Sequence, residues 1–324
     1  MKKLLSILLA AVLLVGTLSL AACGKIDPEL DVRIMVLNGT TGFGMAKLMA
    51  DEEKDLTKLD YEIDVETDAS NITYALINGE VDIAALPTNA ASVVYNRSNG
   101  GVQILAINTL GVLYLLANGE TVTDFESLRG KTIYAPAQNP TFILKALCEA
   151  NGLVVGQDVF IDNSYAQPAD LRTAVAAGQV SLAVLPEPMV TIAKSANKDL
   201  TVALDLTAEW DKVFPEGSLV QGCVVVRREF AEAHPNEVAQ FLKDYEASIR
   251  FLTENPEEAG KIIAEEEIFA NAAVAAKAIP NCNVTFLAGR EMKTAMENFL
   301  EIMHSVAPAS VGGALPAGDF YYEK

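Results

Sequence analysis

Apolar positions along this chain recur with two alternating spacings. VRIMVL from Val32, VDIAAL from Val81 and VQILAIN from Val102 are short apolar runs, and YEIDVET from Tyr61 alternates polar and apolar residues. Runs and alternations of this length predict strands, whereas FGMAKLMADEEK, ITYALINGE and TNAASVVYNRS between them carry helical spacing. Asn38 to Gly42 reads as a turn, Asp68 to Asn71 offers helix-capping side chains, and Asn78-Gly79 reads as a helix stop. Strands alternating with helices in this way predict βαβ units and a mainly parallel sheet.

The pattern then restarts. GVLYLLANGE leads away from the first unit, and KTIYAPA, DVFID, VSLAVL and LTVALDL follow as strands. The helices between them are FILKALCEANG, PADLRTAVAAG and EPMVTIAKS, the first opened by Asn139-Pro140-Thr141, where a proline costs least. Two pairs of blocks align at one constant offset: GEVDIAALPTN at Gly79 with GQVSLAVLPEP at Gly178, and IMVLNGTTGFGMAKLM at Ile34 with IYAPAQNPTFILKALC at Ile133. We read two similarly built lobes.

GSLVQGCVVVRREF then reads as an apolar crossing strand, followed by three helical segments with no counterpart in the second repeat. Those helices are expected to pack back on the first lobe, with crossings near Leu116 and Gly222. The expected organisation is α/β, with two doubly wound lobes and a ligand cleft between them. Residues 31–116 and 222–324 build lobe one, the latter as a helical C-terminal region, and 117–221 build lobe two.

The N-terminus changes the picture most. Lys2-Lys3 precedes an apolar stretch from Leu4 to Leu20, ending in Leu20-Ala21-Ala22-Cys23. The stretch is at the short end for a membrane-spanning helix, and small residues before a cysteine favour processing. The expectation is a lipoprotein signal peptide over 1–22, acylation at Cys23, and a lipidated tether over 23–30. Stable anchoring requires several acyl chains on that cysteine, palmitate among them. The protein is then held on the extracytoplasmic face of the cell membrane by its lipid alone.

Composition narrows the partners. With 324 residues, 51% hydrophobic and 21% charged, the chain has material for packed cores. Its net charge of −19 argues against nucleic acid as a partner, because a basic face is required there. Cys148, Cys223 and Cys282 permit at most one disulfide and read as buried thiols. No CxxC spacing occurs, and neither His234 nor His304 sits near another ligand type in sequence, so no metal or cofactor is expected.

Candidate chemistry lies in the loops after the strands, where an open α/β sheet takes its ligand and helix N-termini present free N–H groups. On the first lobe these are Asn38, Thr40, Thr41, Ser70, Asn71, Thr88, Asn89, Asn108 and Thr109. On the second they are Gln138, Asn139, Thr141 and Glu187. Each hydroxyl or amide could equally cap its own helix. Glu187 is either a first-turn carboxylate favoured by the helix dipole or an acceptor for an amine or heterocyclic N–H. The loops hold no Lys or Arg, which argues against a strongly anionic ligand. Trp210 and Tyr165 are candidates to stack on a flat ligand or to pack between surfaces.

The lipobox-like Leu20-Ala21-Ala22-Cys23 together with GEVDIAALPTN, DFESLRGKTIYAP, ADLRTAVAAGQVSLAVLPEP and VVVRREFAEAHPNEVAQFLKDY resembles ABC-transporter substrate-binding proteins. The branch it is most similar to handles nitrate, sulfonates, taurine and thiamine precursors. The resemblance implies a type II periplasmic-binding fold, hinge closure around a small polar or heteroaromatic solute, and delivery to a membrane permease with a separate ATPase. It implies a monomer that is not an enzyme, with binding loops at Asn38 to Thr41, Thr88-Asn89, Gln138 to Thr141 and Glu187. Two other readings stay open. An enzyme of the same fold, acting on a thiamine-type pyrimidine, needs a His, Cys or Lys in the cleft, and the candidate loops show none. A surface sensor needs an extra domain or a large exposed apolar face.

Overall fold

The computed structural model describes residues 26–323. The expected signal peptide and Cys23 lie outside the described residues.

β1 (Asp31–Leu37) buries Val32, Ile34 and Val36 on one face, and α1 (Thr40–Phe43) and α2 (Ala46–Glu52) cover it. The expected turn at Asn38 to Gly42 therefore becomes a helical turn from Thr40, and the following helix is broken in two. β2 (Asp60–Glu66) leads to α3 (Ala69–Asn78), capped by Asp68, whose carboxylate accepts from the Ser70 amide at 2.8 Å. β3 (Ile83–Pro87), buried along almost its whole length, runs into α4 (Thr88–Arg97), and β4 (Val102–Leu110) follows.

The second sheet opens with β5 (Leu113–Ala117) and β6 (Thr132–Tyr134), then α5 (Asn139–Ala150) and β7 (Phe160–Asp162). α6 (Pro168–Ala176), β8 (Leu182–Pro186), α7 (Met189–Ala196), β9 (Thr201–Asp205) and α8 (Leu206–Val213) complete it. The chain then returns through β10 (Val220–Arg227), α9 (Arg228–Ala233), α10 (Pro235–Glu254), α11 (Pro256–Glu265) and α12 (Ala272–Ala278). β11 (Val284–Leu287) and α13 (Gly289–Val306) precede the C-terminal turns.

The strand orders are β11-β4-β10-β3-β1-β2 and β7-β6-β8-β5-β9. Each sheet has three neighbouring parallel strands followed by one antiparallel strand, β10 in the first and β5 in the second. The aligned sequence blocks occupy matching places, β1 with β6 and β3 with β8.

The first crossing lies at Gly111-Val112, ahead of the expected Leu116, because β5 already pairs with β8 from Leu113. The second precedes Val220, which pairs with Leu110 of β4, so it comes before the expected Gly222. The two crossings pack side by side: a Cβ on Gly111 would meet Thr207 Oγ1 at 2.2 Å and Leu219 Cδ2 at 2.6 Å. The Val112 amide also donates to Gln221 Oε1 at 2.7 Å.

α13 does not rest on the first lobe alone. Its buried Met292, Met296, Phe299 and Met303 join one apolar cluster with residues of both sheets, α5 and α8. Lys145 of α5 donates to the Val306 carbonyl at its end, at 3.0 Å. Cys148, Cys223 and Cys282 are buried free thiols, and burial pushes the Cys148 thiol up to about 12. Among the described residues no helix is long and apolar enough to cross a membrane.

Candidate functional site

The two Leu-Pro steps end β3 and β8 on opposite walls of one cleft, and Pro87 and Pro186 both line it. The cleft encloses about 360 Å³. From the first lobe it receives Asn38, Thr40 and Thr41 after β1, Asn89 at the start of α4, and Thr109 near the end of β4. From the second come Gln138 and Asn139 at the start of α5, and Glu187 after β8. These are strand C-termini and helix N-termini, as an open α/β sheet places them around a ligand.

The remaining candidates sit elsewhere. Thr88 is fully buried, and its hydroxyl donates to the Val220 carbonyl at 2.8 Å, fastening α4 to β10. Asn108 is buried behind the cleft, where its amide donates to the Thr41 carbonyl at 3.0 Å and to Tyr245 Oη at 2.9 Å. Thr109 donates to Asn108 Oδ1 at 3.0 Å. Thr141 donates to the Pro136 carbonyl at 2.8 Å and accepts from Asn163 at 2.6 Å. Asn71 is exposed and reaches Glu66 at 3.1 Å. Ser70 lines a separate, neighbouring cavity of about 420 Å³, which shares Asn89 and Gln138 with the first.

Glu187 takes the first-turn role expected of it and also lines the cleft. Its two carboxylate oxygens accept from the Thr191 amide and the Thr191 hydroxyl, each at 3.0 Å, so it closes the first turn of α7. It is only 4% exposed, and burial raises its carboxyl above the usual range while the Thr191 hydrogen bonds pull it back. It is the only titratable side chain lining the cleft among the described residues. Asn139 Oδ1 is buried there without a hydrogen-bond partner among the described residues.

Neither candidate aromatic lines the cleft. Trp210 is fully buried against Phe214 and Phe299, with ring centroids at 4.4 and 6.1 Å, and its indole N–H donates to Ser218 Oγ at 2.8 Å. Tyr165 packs on Tyr134 at 5.9 Å. The aromatic that does reach the cleft is Phe269, from the loop after α11. That loop is held because the Gly39 amide donates to the Ile268 carbonyl at 3.2 Å, and Phe269 meets Phe43 edge-on at 6.2 Å. Gln221 and Met189 also line the cleft. The apolar pair Ile268-Phe269 amid acidic residues is the one local signal that could have flagged Phe269.

The lobes touch beside this space. Thr40 Oγ1 donates to the Glu187 carbonyl at 2.9 Å, and Tyr114 Oη of β5 donates to the Asn281 carbonyl at 2.9 Å. No group of three or more His, Cys, Asp or Glu that could hold a metal occurs among the described residues.

A family model described as NMT1/THI5 like matches residues 57–259. No curated protein matches the chain significantly. Among solved structures, an ABC transporter from Parabacteroides distasonis superposes with a TM-score of 0.76 at 23% identity, covering 92% of this chain and 100% of that one. The periplasmic aliphatic sulphonate binding protein SsuA from Escherichia coli gives 0.71 at 15% identity, over 92% and 93% of the two chains. The periplasmic nitrate-binding protein NrtA from Synechocystis gives 0.63 at 14% identity, over 90% and 84%. These likenesses show the fold, two α/β lobes of the type II periplasmic-binding kind.

Proposed function

Because the chain belongs to the NMT1/THI5-like family, we propose that it is the extracytoplasmic solute-binding component of an ABC importer. The observation that carries this reading is the cleft between two like-built lobes, bridged at its edge by Thr40 and Glu187. Hinge closure about the paired crossings at Gly111 and Leu219 captures a small solute, which a permease then receives. A lipid on Cys23 holds the protein at the membrane.

The solute is a small polar or heteroaromatic molecule carrying an amine or ring N–H. The cleft lining supplies hydroxyls and amides, which donate and accept, with Glu187 as its one acidic acceptor. Asn139 Oδ1 is a second acceptor in want of a donor. The lining has no Lys or Arg among the described residues, so it is poorly matched to a bare anion such as nitrate. It has no His or Cys either, and Cys282 lies behind Thr40, which favours binding over catalysis.

A thermal-shift screen of amines, pyrimidines, amino acids, sulfonates and nitrate tests this. A true solute at a hundredfold excess over its Kd adds about 2.7 kcal/mol of stability. Glu187→Gln, which keeps an acceptor for Thr191, should weaken that solute. Stabilisation by nitrate or simple sulfonates alone would overturn the solute class, and no response from any class would overturn the binding reading. Cys23→Ser should release the protein from membranes.

A further inference from the structure

Beyond the cleft, the geometry points to a second subsite that takes an oxyanion group on the far end of the same solute. This rests on the binding reading above and extends it to a solute with two unlike ends. The neighbouring cavity of about 420 Å³ lies between α3, α4, α5 and the turn at Ala309-Ser310. Arg97, in the last turn of α4, lines it and pairs with no carboxylate among the described residues. A guanidinium presents a planar fork of donors suited to phosphate or carboxylate.

Ser310 Oγ, also in this wall, is a buried hydroxyl with no hydrogen-bond partner among the described residues. Its own carbonyl accepts from Asn89 at 3.3 Å, which fixes the turn that carries it. The carboxylate bonded to the lining, Asp68, is engaged by the Ser70 amide at the N-terminus of α3, where the helix dipole offsets its charge. Tyr74, 63% exposed, and Phe142 supply flat apolar walls.

Asn89 and Gln138 line both cavities, so they stand where a solute would pass from one to the other. Gln138 holds φ 66° and ψ −128°, a conformation costly for a residue with a side chain. Such strain persists where surrounding structure imposes it, often at ligand sites. The first cavity offers a carboxylate, and the second offers an unpaired cation and a free hydroxyl. Their polarity is complementary to a solute with an amine or N–H at one end and an oxyanion at the other.

Two measurements test the subsite separately from the cleft. In an NMR titration of the intact mature protein with inorganic phosphate, the Arg97 Nε–H and Ser310 amide signals should shift saturably, and Arg97→Gln should abolish the response. A wild-type protein without a saturable shift at these signals overturns the subsite, whatever the cleft binds. In calorimetry, ω-aminoalkyl phosphates of increasing length are compared with their parent amino alcohols. At least one phosphate should bind about tenfold more tightly than its parent, and Arg97→Gln should remove that advantage. An advantage that survives Arg97→Gln overturns the proposal. Phosphate shifts at Arg97 without binding of any amine would leave the subsite standing and remove the amine reading of the cleft.

Discussion

Thr40 of the first lobe donates its hydroxyl to the main-chain carbonyl of Glu187 in the second, 2.9 Å away. The acceptor is backbone, so the contact is independent of the Glu187 side chain, and the two roles separate by mutation. Thr40→Val keeps the shape and removes the donor. A net hydrogen bond contributes about 0.5–1.5 kcal/mol, so solute Kd should rise about two- to tenfold. Isothermal calorimetry checks this, and an unchanged Kd would mean the contact adds nothing to closure.

Trp210 is the only tryptophan, and its indole N–H has Ser218 Oγ as partner. Ser218→Ala leaves that donor unpaired in the interior, a cost of about 1–3 kcal/mol. Urea unfolding should shift by that amount. The native emission, which comes from this one buried indole, reports on the same environment.

Glu266 follows α11, and burial together with Glu53 and Glu265 pushes its carboxyl up to about 7. A raised acid binds more protons folded than unfolded, so its stabilising share is present at low pH and lost as pH rises through about 7. Glu266→Gln should therefore flatten the fall in stability between the ordinary carboxylate range and neutrality. Melting temperatures across that window decide it, and parallel curves for the two proteins would place the titration elsewhere.

Gly222 sits in β10 against β4, and a Cβ there would meet Asn108 Oδ1 at 2.4 Å and Thr109 Oγ1 at 2.9 Å. Gly222→Ala should cost about 1–3 kcal/mol through overpacking. It should also weaken the solute, because Thr109 lines the cleft. A variant with wild-type stability and affinity would mean that the Asn108 network gives way freely.

The elements legible in the sequence are those fixed by local chemistry. Asp68 capping α3, proline opening α5, and the Leu-Pro steps ending β3 and β8 all act within a few residues. Pairings between distant segments were not legible. Nothing local says that β10 inserts between β3 and β4, and that insertion is what takes the Thr88 hydroxyl out of the cleft. Thr88 and Thr40 are the same residue type in equivalent loop positions, yet one fastens a helix to a strand and the other reaches across to the opposite lobe. Phe269 and Arg97 arrive from elements far from the strand-end loops, so a search confined to those loops misses them. Glu187 was legible as an alternative between cap and acceptor; the structure shows the contacts to Thr191 and a place in the cleft wall.

The placement of β10 also sets an order of assembly. The second sheet draws all five of its strands from one continuous stretch, Leu113–Asp205, and can be completed as soon as that stretch is made. The first sheet has a gap between β3 and β4 until Val220–Arg227 emerges, so its earlier strands must wait. A chain arrested between these points holds one finished half and one open half whose Leu86 and Ile107 lack their covering strand. In such a chain, that open half is the part exposed to mispairing.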